Sequence, residues 1–243
     1  MGRTVTGVTR HGKWLDLATQ DGPHLPAHLS RAGRLRWYDV APATPVRPGK
    51  SPIALRVVLD DGAGFDLTEA GTRKRLAVHI VNDPADVELV ASLGVDPLSD
   101  AFTVERLSAL AAARNQHVKG LLRDQRQVAG IGNAYSDEIL HAARMSPFTL
   151  TRSLTAGDVA RLHGVIGEIL SHALAVADGR PATELKDTKR RGMQVHGRAG
   201  QACPVCGDLV REVSFADSAL QSCPTCQTGG RSLADRRMSR LLR

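Results

Sequence analysis

A chain of 243 residues, 42% of them hydrophobic, is long enough to bury one large or two medium cores without covalent crosslinks. The hydrophobic residues are scattered, no run is expected to reach the length of a bilayer span, and Met1-Gly2-Arg3-Thr4 leads into no secretory h-region, which points away from membrane and secreted proteins and towards the cytoplasm. The formal charge of +7, with a pI near 9.7, favours a polyanion; an anionic membrane surface competes, but no strongly amphipathic basic helix carries Trp or Phe on its apolar face, so nucleic acid fits better.

In chain order, Thr4-Val5-Thr6-Gly7-Val8, Trp14-Leu15-Asp16-Leu17, Ala54 to Leu59, Phe65-Asp66-Leu67 and Leu76 to Val81 read as strands, which makes residues 1–82 a β-rich domain. Asp60-Asp61-Gly62-Ala63-Gly64 has the glycines of a hairpin turn, and Ala41 to Pro52 is a Pro-rich surface loop. Turn signals at Asn82-Asp83-Pro84 and Asp96-Pro97 mark a linker over 83–102. A helical domain follows over 103–194, opened by Thr103 as an N-cap ahead of Val104, Leu107 and Leu110. A longer helix starts at Thr155 and Asp158, carries Val159, Leu162, Ile166, Ile169, Leu170 and Ala173 as a packing stripe, and ends at Gly179 and Pro181. Lys186 to Arg191 is basic and polar, 195–227 is a cysteine module, and 228–243 is a tail whose Arg231, Arg236, Arg237, Arg240 and Arg243 either track a nucleic-acid backbone or form a solvated arm.

The four cysteines form two knuckles, Cys203-Pro-Val-Cys206 and Cys223-Pro-Thr-Cys226, at the separation of a four-thiolate zinc site. Two disulfides, or a redox CxxC, are the competing readings; a reducing compartment disfavours the first, and the second leaves the duplication unexplained. Four protein thiolates leave no open position on zinc, so the expected ion is single and structural and catalysis belongs elsewhere. Leu209 to Phe215 between the knuckles predicts a strand, hence a β-hairpin finger.

Lys119-Gly-Leu-Leu-Arg-Asp-Gln125 runs on through Val128-Ala-Gly130-Ile131-Gly132-Asn133 into a helical stretch over Tyr135 to Leu140. Two glycines and an Asn ahead of a helix expose backbone N–H groups where the helix dipole also favours an anion, so a phosphate is a natural ligand, with Asn133 adding an amide donor and Lys119 a mobile charge. Taken alone, Gly-x-Gly-Asn also fits an ordinary helix–turn–helix corner.

With its neighbours, the stretch from Lys119 to Pro147 resembles the helix–two-turn–helix of the formamidopyrimidine-DNA glycosylase/endonuclease VIII family. Leu93-Gly94-Val95-Asp96-Pro97-Leu98 resembles that family's linker, Val195-His196-Gly197-Arg198 its entry into the zinc finger, and Arg10-His11-Gly12-Lys13-Trp14-Leu15 its lysine-bearing strand segment. The resemblance covers essentially the whole chain, in the correct order. It implies an α+β protein with an N-terminal β-sandwich, here shortened, a helical domain and a zinc finger, a monomer acting in the bacterial cytoplasm at the nucleoid. Duplex DNA with damaged bases or abasic sites would be held between the domains for base flipping, glycosylase and AP-lyase chemistry.

The family's nucleophile is an N-terminal proline beside a catalytic Glu, and the opening Met1-Gly2-Arg3 supplies neither. By resemblance Lys13 is the β-elimination lysine, Arg31 stands where a void-filling methionine is expected, Arg73 is near the wedge arginine, and Arg198, Lys119, Gly130, Gly132 and Asn133 are DNA contacts. Ser218 replaces the finger arginine, and Lys50-Ser51-Pro52 lacks the histidines that follow such a lysine. A non-catalytic DNA-binding remnant is the alternative function, and an adaptor for RNA or protein a third.

Overall fold

The computed structural model describes residues 2–47, 49, 51–70, 73–215 and 218–233. It divides into two units, Met1–Leu93 with Arg180–Lys186, and Gly94–Gly179 with Asp187–Arg243. The division falls between Leu93 and Gly94, inside the stretch read as a linker, and it assigns Arg180–Lys186 to the first unit although the sequence put 103–194 into one domain.

In the first unit an antiparallel sheet runs in the order β1-β2-β3-β7, from β1 (Val5–His11), β2 (Trp14–Thr19), β3 (Leu25–His28) and β7 (Ala77–Val78). Gly12, with φ at 57°, turns β1 into β2. A second antiparallel sheet runs β4-β6-β5, from β4 (Gly33–Tyr38), β5 (Ile53–Val58) and β6 (Gly64–Glu69). The predicted hairpin at Asp60 to Gly64 joins β5 to β6, with Gly62 at φ 85° and the Ala63 N–H on the Asp61 carboxylate at 2.9 Å. Sequence reading found no strand at β3 or β4.

Few apolar side chains are buried among the described residues of this unit: Trp14, Pro26, Ala27, Ala63, Leu67 and Val87. Its buried carboxylates are tied instead. The Arg56 guanidinium grips Asp66 through two bonds of 2.7 and 2.8 Å, and the Tyr38 hydroxyl donates to the same carboxylate at 3.0 Å. Glu69 accepts the backbone N–H groups of Arg75 and Leu76, which folds the loop ahead of β7 around it.

The Met1–Leu93 stretch of the first unit ends on the short α1 (Glu88–Ala91), and in the second unit α2 (Val104–Ala113), α3 (Val118–Arg123), α4 (Asn133–Ala142) and α5 (Ala156–Ala177) enclose one core that includes Leu107, Leu121, Leu122, Ile131, Ile139, Leu140, Leu162 and Ile166. Thr103 caps α2 by accepting from the Arg106 N–H at 3.2 Å, and Thr155 with Asp158 forms a capping box on α5, as the sequence predicts. By length and composition α5 is apolar enough to cross a bilayer, contrary to the sequence expectation; Val159, Leu162 and Ile166 place its stripe in the core. After α6 (Leu185–Gly192) comes the finger, whose hairpin is β8 (Arg211–Ser214) paired with β9 (Ala219–Ser222), followed by α7 (Pro224–Thr228).

Candidate nucleic-acid interface and metal centre

The turn before α4 is shaped by Gln125, whose amide donates to the carbonyls of Arg123 and Ile131 at 2.8 Å each while its oxygen accepts the Gly130 N–H at 2.9 Å. Gly130 sits at φ 96°, a conformation that an L side chain strains to adopt. Gly94 closes the other side of the turn: its N–H donates to the Gln125 carbonyl, and a Cβ there would stand 2.3 Å from the Gln127 carbonyl oxygen. Gly132 is the extended N-cap of α4, and among the described residues no side chain caps the helix, which leaves its first-turn N–H groups available as donors.

Helix α4 is unusual in burying a polar series, Ser136, Asp137, Glu138 and His141, each at most 5% exposed. Every one of them has a partner. Lys119 Nζ donates to Asp137 Oδ1 and, at 3.0 Å, to Ser136 Oγ. His196 Nδ1 lies 2.7 Å from Asp137 Oδ2. Glu138 accepts the successive N–H groups of Gln194, Val195 and His196 at 2.7, 3.0 and 2.8 Å, which fixes the entry of the chain into the finger. Asn133 Nδ2 donates to the Ala219 carbonyl on β9 at 2.6 Å, and Gln227 Nε2 to the Met145 carbonyl at 3.0 Å. The glycine turn and the finger therefore share one rigid helix.

This arrangement corrects the expectation for Lys119. Its ammonium is buried and held by Asp137 and Ser136, so it is a fixed internal charge and not a mobile one. Burial pushes its pKa down, and the Asp137 carboxylate opposes that shift. Asn133 keeps one amide hydrogen beyond the bond to Ala219, and its Oδ1 is buried without a partner among the described residues.

The knuckles converge as the spacing predicts. Cys206 and Cys223 place their sulfurs 3.3 Å apart, Cys203 and Cys226 theirs 3.9 Å apart, against roughly 3.8 Å for thiolates arranged tetrahedrally on zinc. Without a cation, burial pushes the Cys223 thiol up to about 11 and raises Cys226 too, so the buried sulfurs need a metal to favour their thiolates. Four cysteines in this arrangement fit one zinc ion, which supplies folding energy and, with no open position, no Lewis-acid chemistry. His141 was missed by sequence reasoning: Nε2 lies 3.3 Å from Cys203 Sγ across 62 positions of chain, and nothing local to α4 announces it.

In the first unit, Lys13 is exposed in the β1–β2 turn, at the strand end and not within a strand. Its charge reinforces burial in lowering the pKa of His28, whose ring lies 5.1 Å from that of Trp14. Arg31 is exposed in the turn Leu29–Gly33, where a Cβ on Gly33 would collide with the Leu29 carbonyl at 2.0 Å. Arg73 is exposed in the loop that Glu69 organises. Asp16, buried on β2, accepts from His24 at 2.8 Å and has His11 Nε2 at 3.7 Å, a grouping the sequence did not signal. In the second unit Arg198 reaches Gln201 Oε1 at 3.1 Å and the Met193 carbonyl at 3.4 Å. Lys50 and the arginines at 236, 237, 240 and 243 lie outside the described residues.

Three family descriptions match the chain in order: the formamidopyrimidine-DNA glycosylase N-terminal domain over residues 1–78, the H2TH domain of the same enzyme over 93–184, and the zinc finger found in FPG and IleRS over 200–229. An uncharacterised formamidopyrimidine-DNA glycosylase-like protein of Mycobacterium tuberculosis is 51% identical over 63% of this chain and 95% of its own length. The formamidopyrimidine-DNA glycosylase of Roseiflexus is 36% identical over 93% of this chain and 82% of its own. Among solved structures, the MutM (Fpg) protein of Thermus thermophilus superposes with a TM-score of 0.78 at 32% identity, covering 95% of this chain and 85% of that one. The Lactococcus lactis enzyme, solved with DNA containing FAPY-dG, gives 0.80 at 25% identity over 93% and 83%.

Proposed function

The chain belongs to the formamidopyrimidine-DNA glycosylase family, and from that premise we propose that it binds duplex DNA at damaged bases and abasic sites in base-excision repair. The observation that carries this reading is α4, whose uncapped N-terminus is open to a phosphate while its buried face fastens a zinc hairpin. Abasic and FAPY-dG DNA are the ligands named for the Lactococcus lactis structures, and the shared family extends them to this chain. Gly130 shapes the turn, Gly132 and Asn133 offer backbone N–H groups with one amide hydrogen, and Arg198, Lys13, Arg31 and Arg73 supply further cationic contacts. Lys119 acts through Asp137 as a positioning residue. The compartment is the bacterial cytoplasm at the nucleoid, and the working form is a monomer.

The family reaction needs an amine that is neutral near physiological pH, and these 243 residues contain no Pro-Glu pair to provide the nucleophile and its acid. A second reading, lesion binding without strand cleavage, differs from the first in the lyase step alone. One experiment separates them: binding of the purified chain to abasic and undamaged duplexes, with and without zinc, followed by borohydride trapping. Zinc-dependent preference for the abasic duplex is expected. A trapped adduct means that another amine, with Lys13 the first to replace, performs the lyase step; its absence assigns binding alone. Equal affinity for the two duplexes overturns both readings.

A further inference from the structure

The zinc centre has more donors than one zinc ion takes. His141 projects from α4 with its side chain buried, and its ring nitrogen forms with the sulfurs of Cys203, Cys223 and Cys226 a set in which all donor atoms lie within 4.8 Å of one another. Cys206 completes the four-thiolate set from the solvent side: it is exposed, whereas Cys203 and Cys223 are buried and Cys226 is partly so. The outermost sulfur is therefore the one that an oxidant or electrophile reaches first, and the imidazole waits on the inner side.

We propose that His141 is a reserve ligand of the zinc centre, donating its Nε2–H to the Cys203 sulfur while four thiolates are bound and taking the fourth position when Cys206 leaves. In the exchange the Zn–S bond to Cys206 breaks and that sulfur keeps the electron pair, to be protonated by solvent or capped by the electrophile that attacked it. Nε2 gives its proton to solvent while Nδ1 takes one up, so the ring stays neutral as the Nδ1–H tautomer, the freed Nε2 lone pair forms the new bond, and zinc stays divalent throughout. Zinc accepts four thiolates tetrahedrally, and it accepts three thiolates with one imidazole in the same geometry. The neighbouring Ile139 and Leu140 are fully buried, so the core holds the replacement ligand in place. Losing the outer ligand would thus leave the metal attached to the helix that carries the glycine turn.

The test uses the full chain with Cys206→Ala, His141→Phe and the double variant, reading metal per chain after dialysis against a weak chelator and the optical spectrum of the cobalt-substituted forms. Cys206→Ala is expected to keep one metal, with sulfur-to-cobalt charge transfer reduced by about a quarter as three thiolates replace four. His141→Phe alone is expected to keep the four-thiolate spectrum, and the double variant to keep no metal. The proposal is overturned if Cys206→Ala loses metal as completely as the double variant, or if it keeps metal with a spectrum that adding His141→Phe leaves unchanged. Should His141→Phe fail to fold, nitrogen NMR of zinc-loaded Cys206→Ala decides alone: a coordination shift at Nε2 of His141 upholds the proposal, and an unshifted ring sinks it.

Discussion

The two units solve the problem of stability in different ways. The helical unit encloses a continuous apolar core in which Leu107, Leu121, Leu122, Ile139, Leu140, Leu162 and Ile166 have no solvent exposure. In the β unit, strand β1 is exposed along nearly its whole length and only a handful of apolar residues are buried, so its order depends on carboxylates clamped by donors: Asp66 by Arg56 and Tyr38, Glu69 by the backbone of Arg75 and Leu76, Asp16 by His24. A core held by burial responds to lost volume and to lost metal. A sheet held by ionised clamps responds to protons.

The largest effect should come from removing zinc. Structural zinc contributes on the order of 10 kcal/mol to small modules of this kind, and the finger's own core is little more than Val195, Val210 and two of its cysteines. A strong chelator should strip amide-exchange protection from β8, β9 and α7 and leave β2, β3 and β6 protected; loss of protection in those sheets as well would break the distinction between the units. Next comes packing. Leu140→Ala should destabilise the helical unit by about 2–5 kcal/mol in urea unfolding, whereas Val58→Ala, on a side chain 59% exposed in β5, should stay within about 0.5 kcal/mol.

The same contrast explains what was legible from sequence. Periodicity of 3.6 and cap residues report burial on one helix face, so α2 and α5 could be read with their Thr103 and Thr155 starts, and the CxxC spacing encodes convergence directly. The run Leu25-Pro26-Ala27-His28 concealed β3 because proline argues against a strand, although here Pro26 gives its carbonyl to the His79 N–H. β4 alternates Arg34, Arg36 and Tyr38 with Leu35 and Trp37, but half-exposed Trp37 belongs to no core that composition could announce. Lys119 was misread because its partner, Asp137, lies on the next helix, and His141 because a metal donor 62 positions from its neighbour has no spacing to recognise.

Acid should sharpen the comparison further. Arg56 holds the Asp66 carboxyl below the usual carboxylate range, and the backbone N–H of Arg75, ahead of that of Leu76, does the same for Glu69. A depressed folded pKa gives stability that is present above the unfolded values of about 3.9 and 4.3 and is lost as pH falls through the folded ones. The β unit should therefore loosen from about pH 4 downward, and Asp66→Asn should flatten that dependence. Both tryptophans of the chain, Trp14 and Trp37, lie in this unit, so their fluorescence reports it without interference from zinc release in the finger. An acid transition in tryptophan fluorescence that is identical in Asp66→Asn would remove the carboxylate clamp as the cause.

The smallest effect tests the surface and not the core. If Lys13 in its exposed turn meets a phosphate, Lys13→Ala should lower the slope of log affinity against log salt by about 0.9 and leave the unfolding midpoint where it was. Lys119→Ala should do the reverse, because removing a buried ammonium strands Asp137 and loosens α4 without releasing any counterion from DNA. The pair separates a charge that touches the ligand from a charge that builds the helix, which a measurement of affinity at one salt concentration cannot do. An unchanged slope in Lys13→Ala would take that turn out of the interface and leave the cationic contacts to Arg31, Arg73 and Arg198.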